Sequence, residues 1–322
     1  MNGRTTPRRA LPLMSSTDPP TPHPVWNPEP IQRAKDHRTL LGQRRKLLAR
    51  LASRLPTSPF RMLPDLVILG AAKSGTTTLH AYLVQSPHIS WALRKETFFF
   101  TRTYHWGLSW YRAFFELQSV RRKAERTGRG PLLCGEGTPD YLLHPHAPKR
   151  LKATIPNAKL IVILRNPVDR AYSLYKHQVQ RVNEPLTFAE AVDAEADRLD
   201  GELERMLADE RYHSIHRQDH SYLARGCYMD QLDGWLALFP REQFLIMRMD
   251  DLVREPKRTI RKLTDFLEIP PLDNEGVKKA NESIVIEPME KEVRARLTEY
   301  FRPHNARLEE FLGRPLDWDR QG

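Results

Sequence analysis

The segment LVILGAAKSGTTTLHAYL, residues 66–83, restricts the possible folds of this chain more than any other. Its apolar start, Leu66 to Leu69, is too short for a globular helix and suits a strand buried on both faces. Gly70 and Gly75 bracket a tight loop, and Thr77 to Gln85 reads as the helix that follows. A strand, a glycine loop and a helix start, in that order, let backbone amides converge on an anion, with the helix dipole adding to the attraction. Gly75 permits close backbone approach, Lys73 supplies a mobile positive charge, and Ser74, Thr76 and Thr77 supply hydroxyls. Phosphate binding is the predicted task of this loop.

The same grammar recurs downstream. Leu160 to Leu164 (LIVIL) is a second apolar run, followed by RNPVDRAYSLYKHQ. There Asn166 can cap a helix, Pro167 suits its first turn, and Asp169 lies near the positive end of the dipole. A third strand is predicted over Phe244 to Met249, leading into a helix from Pro256 to Leu267. Short apolar strands alternating with helices imply an α/β fold: a P-loop-like, mainly parallel central sheet flanked by helices, with a helical N-terminal extension. Gly70 and Gly75 have the spacing of a P-loop, but the lysine lies inside the loop and Thr76 takes its usual place. After the second run, where an NTPase offers an acidic metal ligand, the chain has Arg165, Asn166 and Pro167. Cations and hydroxyls are therefore expected to hold the phosphate, with no metal, and these departures count against the alternative of a P-loop kinase.

Charge divides the chain into two parts. Of a net charge of +11, residues 1–61 carry +9, from twelve Lys and Arg against three Asp and Glu, and the rest is nearly balanced. Residues 1–30 hold eight prolines and little apolar content, the composition of an arm that cannot bury a core. From Ile31 to Leu55, apolar residues recur at helical spacing among basic ones. Such a helix can pack on a domain with its basic face solvated, or it can touch an anionic membrane surface. The expected division is therefore a basic arm and amphipathic helix, 1–61, and a catalytic domain, 62–322. A second class of function, binding to nucleic acid or an anionic surface through the arm, has the charge but few interleaved aromatics, so no stable nucleic-acid complex is expected. Two cysteines, Cys134 and Cys227, exclude a disulfide framework. No apolar run approaches a membrane span, and the chain reads as cytoplasmic, with organelle targeting left open by its Arg-rich start.

Several ordered motifs, GAAKSGTTTL, KETFFF, GEGTPDYL, ILRNPVDRAYSLYKH, RGCYMDQLDGWLALFP and YFRPHNARLEEFLGRPLDW, resemble the sulfotransferases that use 3'-phosphoadenosine 5'-phosphosulfate (PAPS), especially the heparan sulfate type and its bacterial relatives. The resemblance covers roughly residues 64–318. It implies transfer of a sulfuryl group from PAPS, leaving 3'-phosphoadenosine 5'-phosphate (PAP). The acceptor would be a hydroxyl, or as second choice an amine, of a small molecule, glycolipid or saccharide. It also implies that Lys73, Ser74, Gly75, Thr76 and Thr77 bind the 5'-phosphosulfate and that Arg165 and Ser173 bind the 3'-phosphate. Lys73 is then the candidate for steadying the leaving phosphate, and Glu96 of KETFFF the candidate base.

The alternatives at these positions are structural. Arg165 could pair with Asp169, Ser173 could be a packed small residue, and Glu96 could pair with Lys95. Histidine serves as base in other branches, which makes His80, His88 and His105 candidates, each expected in preference to pack or lie at the surface, and His177 is expected to be structural. Trp235 and Leu238 are expected in the core, and the Trp106, Trp110 and Tyr111 cluster is placed in the core in preference to an acceptor site. Arg225 and Tyr228 could face the cleft. The chain departs from the heparan sulfate pattern at Phe98, which replaces a histidine, at Thr101, which stands for an aspartate, and at Gly137, which stands for a lysine that contacts polyanionic sugar. Its late segment VKKANESIVIEP offers only Lys278 and Lys279 in place of a basic glycine loop.

Overall fold

A computed structural model describes residues 30–128, 130–272 and 288–318, with side chains described from residue 42 onward. The proline-rich arm and the segment carrying Lys278 and Lys279 lie outside the described residues. Five strands, β1 (Leu66–Gly70), β2 (Ile89–Trp91), β3 (Leu133–Gly137), β4 (Lys159–Leu164) and β5 (Phe244–Arg248), form one sheet in the order β2-β3-β1-β4-β5. Every pairing is parallel. The three apolar runs are β1, β4 and β5; β2 and β3 are additional, and neither carries a long apolar run.

The two faces of the sheet follow from the two-residue period of a strand. Leu66, Ile68, Ile161 and Ile163 pack on one face against Leu79 and Leu83 of α2 (Thr76–Leu83) and against Leu263 and Leu267. Val67, Leu69, Val162 and Leu164 pack on the other against Phe99, Phe100, Tyr111, Tyr141 and Trp235. A third apolar cluster joins α3 (Pro167–Gln180) to the long helix near the C-terminus, Lys291–Leu312, through Val168, Ala171, Leu174, Leu297 and Phe301. Covering both faces is what permits a parallel sheet of near-continuous apolar strands.

α1 (Pro30–Arg54), in its described part, enters this core through Leu47 and Leu51. Leu51 is buried, and Arg54 donates to the Phe115 carbonyl at 2.7 Å and to Glu116 Oε1 at 2.9 Å. Arg44, Arg45, Lys46 and Arg50 remain exposed, so the helix packs on the domain with its basic face in solvent. Trp235 is fully buried and its indole donates to the Leu142 carbonyl at 3.1 Å. Leu238 lies beyond the end of the helix Tyr228–Leu236 that carries Trp235 and is 40% exposed, which corrects the expectation that it packs in the core. Tyr111 is buried and Trp110 partly so, while Trp106 is 50% exposed.

Gly226 marks the tightest contact in this packing. A Cβ there would lie 2.6 Å from a ring carbon of Phe301, which is fully buried, and 3.0 Å from Pro167, the first residue of α3. Gly226→Ala is expected to cost about 1–3 kcal/mol through overpacking, seen as a lowered urea midpoint. An unchanged midpoint would contradict this packing.

Candidate functional site

β1 and β4 are neighbours, yet the chain leaves β1 toward β2 on one side and leaves β4 toward β5 on the other. In a parallel sheet such a reversal opens a crevice at the carboxyl ends of the strands. Lys73 follows β1 and Arg165 follows β4, so both stand at this crevice, and Arg165 Nη1 donates to the Lys73 carbonyl at 3.4 Å.

The loop between them is shaped by close contacts. Gly70 has φ +156°, and a Cβ on it would lie 2.9 Å from Leu142 Cβ and 3.1 Å from the Pro139 carbonyl oxygen. Gly75 has φ +92°, which glycine adopts without strain. Lys73 itself sits in the left-handed region at φ +67°. The Ala71 amide donates to the Ile163 carbonyl at 2.8 Å, tying the loop to β4, and the Ser74 amide closes back on the Ala71 carbonyl at 3.2 Å.

On the far side, Asn166 caps α3 by accepting from the Val168 amide at 2.9 Å, and its side-chain amide donates to the Trp318 carbonyl at 3.1 Å. Tyr228 donates its phenol to the Arg165 carbonyl at 2.7 Å. Tyr228 is therefore buried beneath the site and supports the backbone of Arg165. Asp169 pairs with Arg294 at 2.8 Å, which leaves Arg165 without the carboxylate considered for it. Ser173 is buried on α3, and Lys176 lies one turn beyond it.

Electrostatics single out Lys73. Burial lowers its pKa, and the positive charges of Arg165, Lys176 and Lys95 lower it further, against a smaller opposing effect of Glu96. Among the described residues, Lys73, Arg165 and Lys176 have no ion-pair partner. His177, beside this cluster, is pushed down to about 4 by burial and then by Lys73 and Arg181, so it is neutral at pH 7. Lys73 and Arg165 meet beside the hydroxyls of the loop, the charge of Lys176 is felt at Lys73, and no carboxylate is ion-paired with any of the three among the described residues. That donor set fits a ligand with more than one phosphate-like group.

Glu96 joins the loop through a residue that sequence reasoning treated only as its neighbour. Lys95 Nζ donates to Thr77 Oγ1 at 3.0 Å and to Glu96 Oε1 at 3.3 Å. The pairing of Glu96 with Lys95 is therefore present, and the same lysine links Glu96 to the phosphate-binding loop. Immediately after it, Thr97 is anchored to the sheet, its hydroxyl donating to Glu136 Oε2 at 2.6 Å and its amide to Thr138 Oγ1 at 3.1 Å.

Glu136, fully buried at the end of β3, also accepts from Tyr111 Oη at 2.5 Å and lies 3.2 Å from Tyr141 Oη. Burial raises its pKa to about 7, against the hydrogen bonds from Thr97, Tyr111 and Tyr141. This hub fixes the loop segment that carries Glu96. The visible signal for it was a charged residue within GEGTPDYL. For Lys176 the signal was its i+3 spacing from Ser173.

The remaining candidates pack or lie at the surface, His105 among the exposed residues. His80 lies edge-on to Trp91 with ring centroids 4.7 Å apart, and burial followed by the charge of Lys95 pushes it down to about 4. His88 contacts the Pro131 carbonyl at 3.2 Å, and His105 stands edge-on to Trp106. Arg225 is buried and paired with Asp140 at 2.6 Å.

The family model described as Sulfotransferase domain matches residues 63–317. The chain is 30% identical over 321 residues to membrane-associated sulfotransferase kil1 of Dictyostelium discoideum, a match covering 80% of this chain and 66% of kil1. It is 28% identical over 282 residues to heparan sulfate glucosamine 3-O-sulfotransferase 3B1 of Mus musculus, again covering 80% of this chain and 66% of the relative. The chain thus spans about two thirds of the length of these relatives. Among solved structures, the sulfotransferase from Alicyclobacillus acidocaldarius matches with a TM-score of 0.59 and 29% identity, covering 81% of this chain and 100% of that one.

The Glu136 hub has a pH signature. Its folded pKa lies above the ordinary carboxylate value, so the stability it contributes is full below about 4.5 and is lost as pH rises through about 7. Between pH 5 and pH 8 this group is expected to cost about 2–3 kcal/mol. Urea unfolding at both pH values should show a decline that Glu136→Gln reduces by that amount; an identical decline in both proteins would contradict the assignment.

Proposed function

The chain belongs to the sulfotransferase domain family, and from that premise we propose that it transfers the sulfuryl group of PAPS to an acceptor hydroxyl and releases PAP. The observation that carries this reading is that Lys73 and Arg165 stand together at the crevice, with the charge of Lys176 felt at Lys73, and that none of the three has an ion-pair partner among the described residues. Two separated phosphate groups on one nucleotide match such a spread of charge. Lys73 with the backbone and hydroxyls of Ser74, Gly75, Thr76 and Thr77 would hold the 5' end, and Arg165 with Ser173 the 3'-phosphate. The kinase alternative lacks support: the loop lysine is displaced from its P-loop position, and Arg165 follows β4 where an acidic metal ligand would be needed.

The chemistry then divides among this chain's residues. Glu96 takes the proton of the acceptor hydroxyl as the acceptor oxygen bonds to sulfur. The bond between sulfur and the bridging phosphate oxygen breaks, and its electron pair stays with the phosphate. Lys73 meets the charge that develops there. Lys95 holds Glu96 in register with the loop through Thr77, which makes it a positioning residue. Because the mouse relative is named for a glucosamine 3-O acceptor, a saccharide hydroxyl is the preferred acceptor, ahead of a small molecule or glycolipid. Residues 62–322 are assigned as the catalytic domain and residues 1–61 as its extension, whose exposed Arg44, Arg45, Lys46 and Arg50 suit an anionic membrane surface. No helix among the described residues is long and apolar enough to cross a membrane.

Sulfate incorporation from labelled PAPS across a panel of acceptors tests the reaction. Lys73→Ala is expected to lower turnover about 10²- to 10³-fold while PAP binding falls far less. Near-normal turnover would remove Lys73 from the mechanism. Glu96→Gln keeps the shape and removes the base; kcat is expected to fall about 10²-fold or more with KM for PAPS unchanged, and unchanged kcat would place the base elsewhere.

A further inference from the structure

Three metal-ligating side chains meet where two helices pack, and none of them is used in holding the nucleotide or moving the acceptor proton. Cys227 is the N-cap of the helix Tyr228–Leu236, and Asp230 follows one turn later on the same face. His304 comes from the C-terminal helix Lys291–Leu312. The Cys227 sulfur, a carboxylate oxygen of Asp230 and a ring nitrogen of His304 all lie within 4.8 Å of one another. Close packing fixes the backbone around them: a Cβ on Gly226 would meet both Phe301 and Pro167. Cys227 is buried, with its sulfur 3.6 Å from the Leu223 carbonyl and 4.0 Å from Tyr300 Oη. The His304 ring is flanked by Tyr300 and Phe301, at centroid distances of 5.5 and 6.4 Å.

The donor chemistry is selective. A thiolate, an imidazole and a carboxylate together suit zinc, whereas magnesium and calcium take oxygen ligands. Zinc bonds of about 2.0 to 2.3 Å hold tetrahedral ligand atoms about 3.3 to 3.6 Å apart. The three donors therefore need to close by at most about 1.5 Å, which rotation of the exposed Asp230 and the half-buried His304 side chains supplies. Asp230 now accepts from Arg307 through Oδ1 at 2.8 Å. Its second oxygen can turn to a cation, and Arg307 keeps a carboxylate in any case, because it also pairs with Asp233. The exposed carboxylate gives an ion a path from solvent to the buried sulfur.

We propose that Cys227, Asp230 and His304 form a zinc site that staples the helix Tyr228–Leu236 to the C-terminal helix, with solvent in the fourth position. Binding releases the thiol proton to solvent as the sulfur bonds to the metal, and no electron changes hands. The role is structural: the ion holds the helix start whose next residue, Tyr228, donates to the Arg165 carbonyl. The site is independent of the sulfotransferase reading, since the ion touches neither the nucleotide nor the acceptor.

The test uses the untagged full chain, stripped with a chelator and titrated with Zn2+ against a chromophoric competitor, and with Co2+ as a spectroscopic substitute. One zinc is expected to bind with Kd of about 1 μM or tighter and to raise the melting midpoint with its concentration. Cobalt should give the near-ultraviolet charge-transfer band that a thiolate ligand produces, which surface histidines alone cannot. Cys227→Ser should abolish that band and weaken zinc binding about 100-fold or more, and His304→Gln should weaken it about as much. Asp230→Asn, at an exposed position that leaves the core undisturbed, should weaken it at least about 10-fold. Zinc binding weaker than about 1 μM, a cobalt complex without the thiolate band, or an affinity unchanged by any of the three substitutions would overturn the proposal.

Discussion

Five strands running in the same direction deliver their carboxyl ends to one edge of the sheet, and the placement of every candidate residue depends on that constraint. Lys73 follows β1, Glu136 lies at the end of β3 and Arg165 follows β4. Residues separated by more than ninety positions in sequence become neighbours because their strands are adjacent, as the contact between Arg165 and the Lys73 carbonyl shows. An antiparallel pairing would have sent alternate loops to opposite edges. Close approach between loops then needs glycine at Gly70, where Leu142 and the Pro139 carbonyl press against the loop.

Charge is handled differently at that edge than elsewhere in the molecule. Several buried or half-buried arginines away from it are matched, Arg54 with Glu116, Arg198 with Glu184, Arg225 with Asp140 and Arg296 with Asp193, while Arg61 and Arg170 donate to carbonyls. Unmatched buried charge is costly, so matching is the ordinary solution. Lys73, Arg165 and Lys176 depart from it together, and the lowered pKa of Lys73 is the local sign of the cost. The overall surplus of +11 says little about this, since most of it lies in residues 1–61. Affinity for a polyanion comes instead from a few cations placed where the sheet topology brings them together.

The sequence disclosed those parts whose chemistry is local. β1, β4 and β5 were legible as short apolar runs, and the loop was legible from two glycines, a lysine and three hydroxyls. β3 was not, because LCGEG combines two glycines with a glutamate, a composition that reads as a turn. It is a strand because Gly135 and Gly137 admit Trp91, Leu66 and Ile68 at close range, while Glu136 is satisfied by Thr97, Tyr111 and Tyr141. β2, at three residues, is too short to show a pattern. Lys95 was visible as a neighbour of Glu96, but its bond to Thr77 is a tertiary contact that no spacing rule reveals. The same holds for the pairing of Asp169 with Arg294, which frees Arg165.

These unmatched cations are there to hold a nucleotide with two separated phosphate groups. Calorimetric affinities of PAP and of 5'-AMP, which lacks the 3'-phosphate, measured on the native chain and on Arg165→Ala, address this directly. The native chain is expected to bind PAP about 100-fold more tightly than AMP, and Arg165→Ala to lose most of that preference while AMP affinity changes little. Equal affinities on the native chain, or a preference that survives the loss of Arg165, would contradict it.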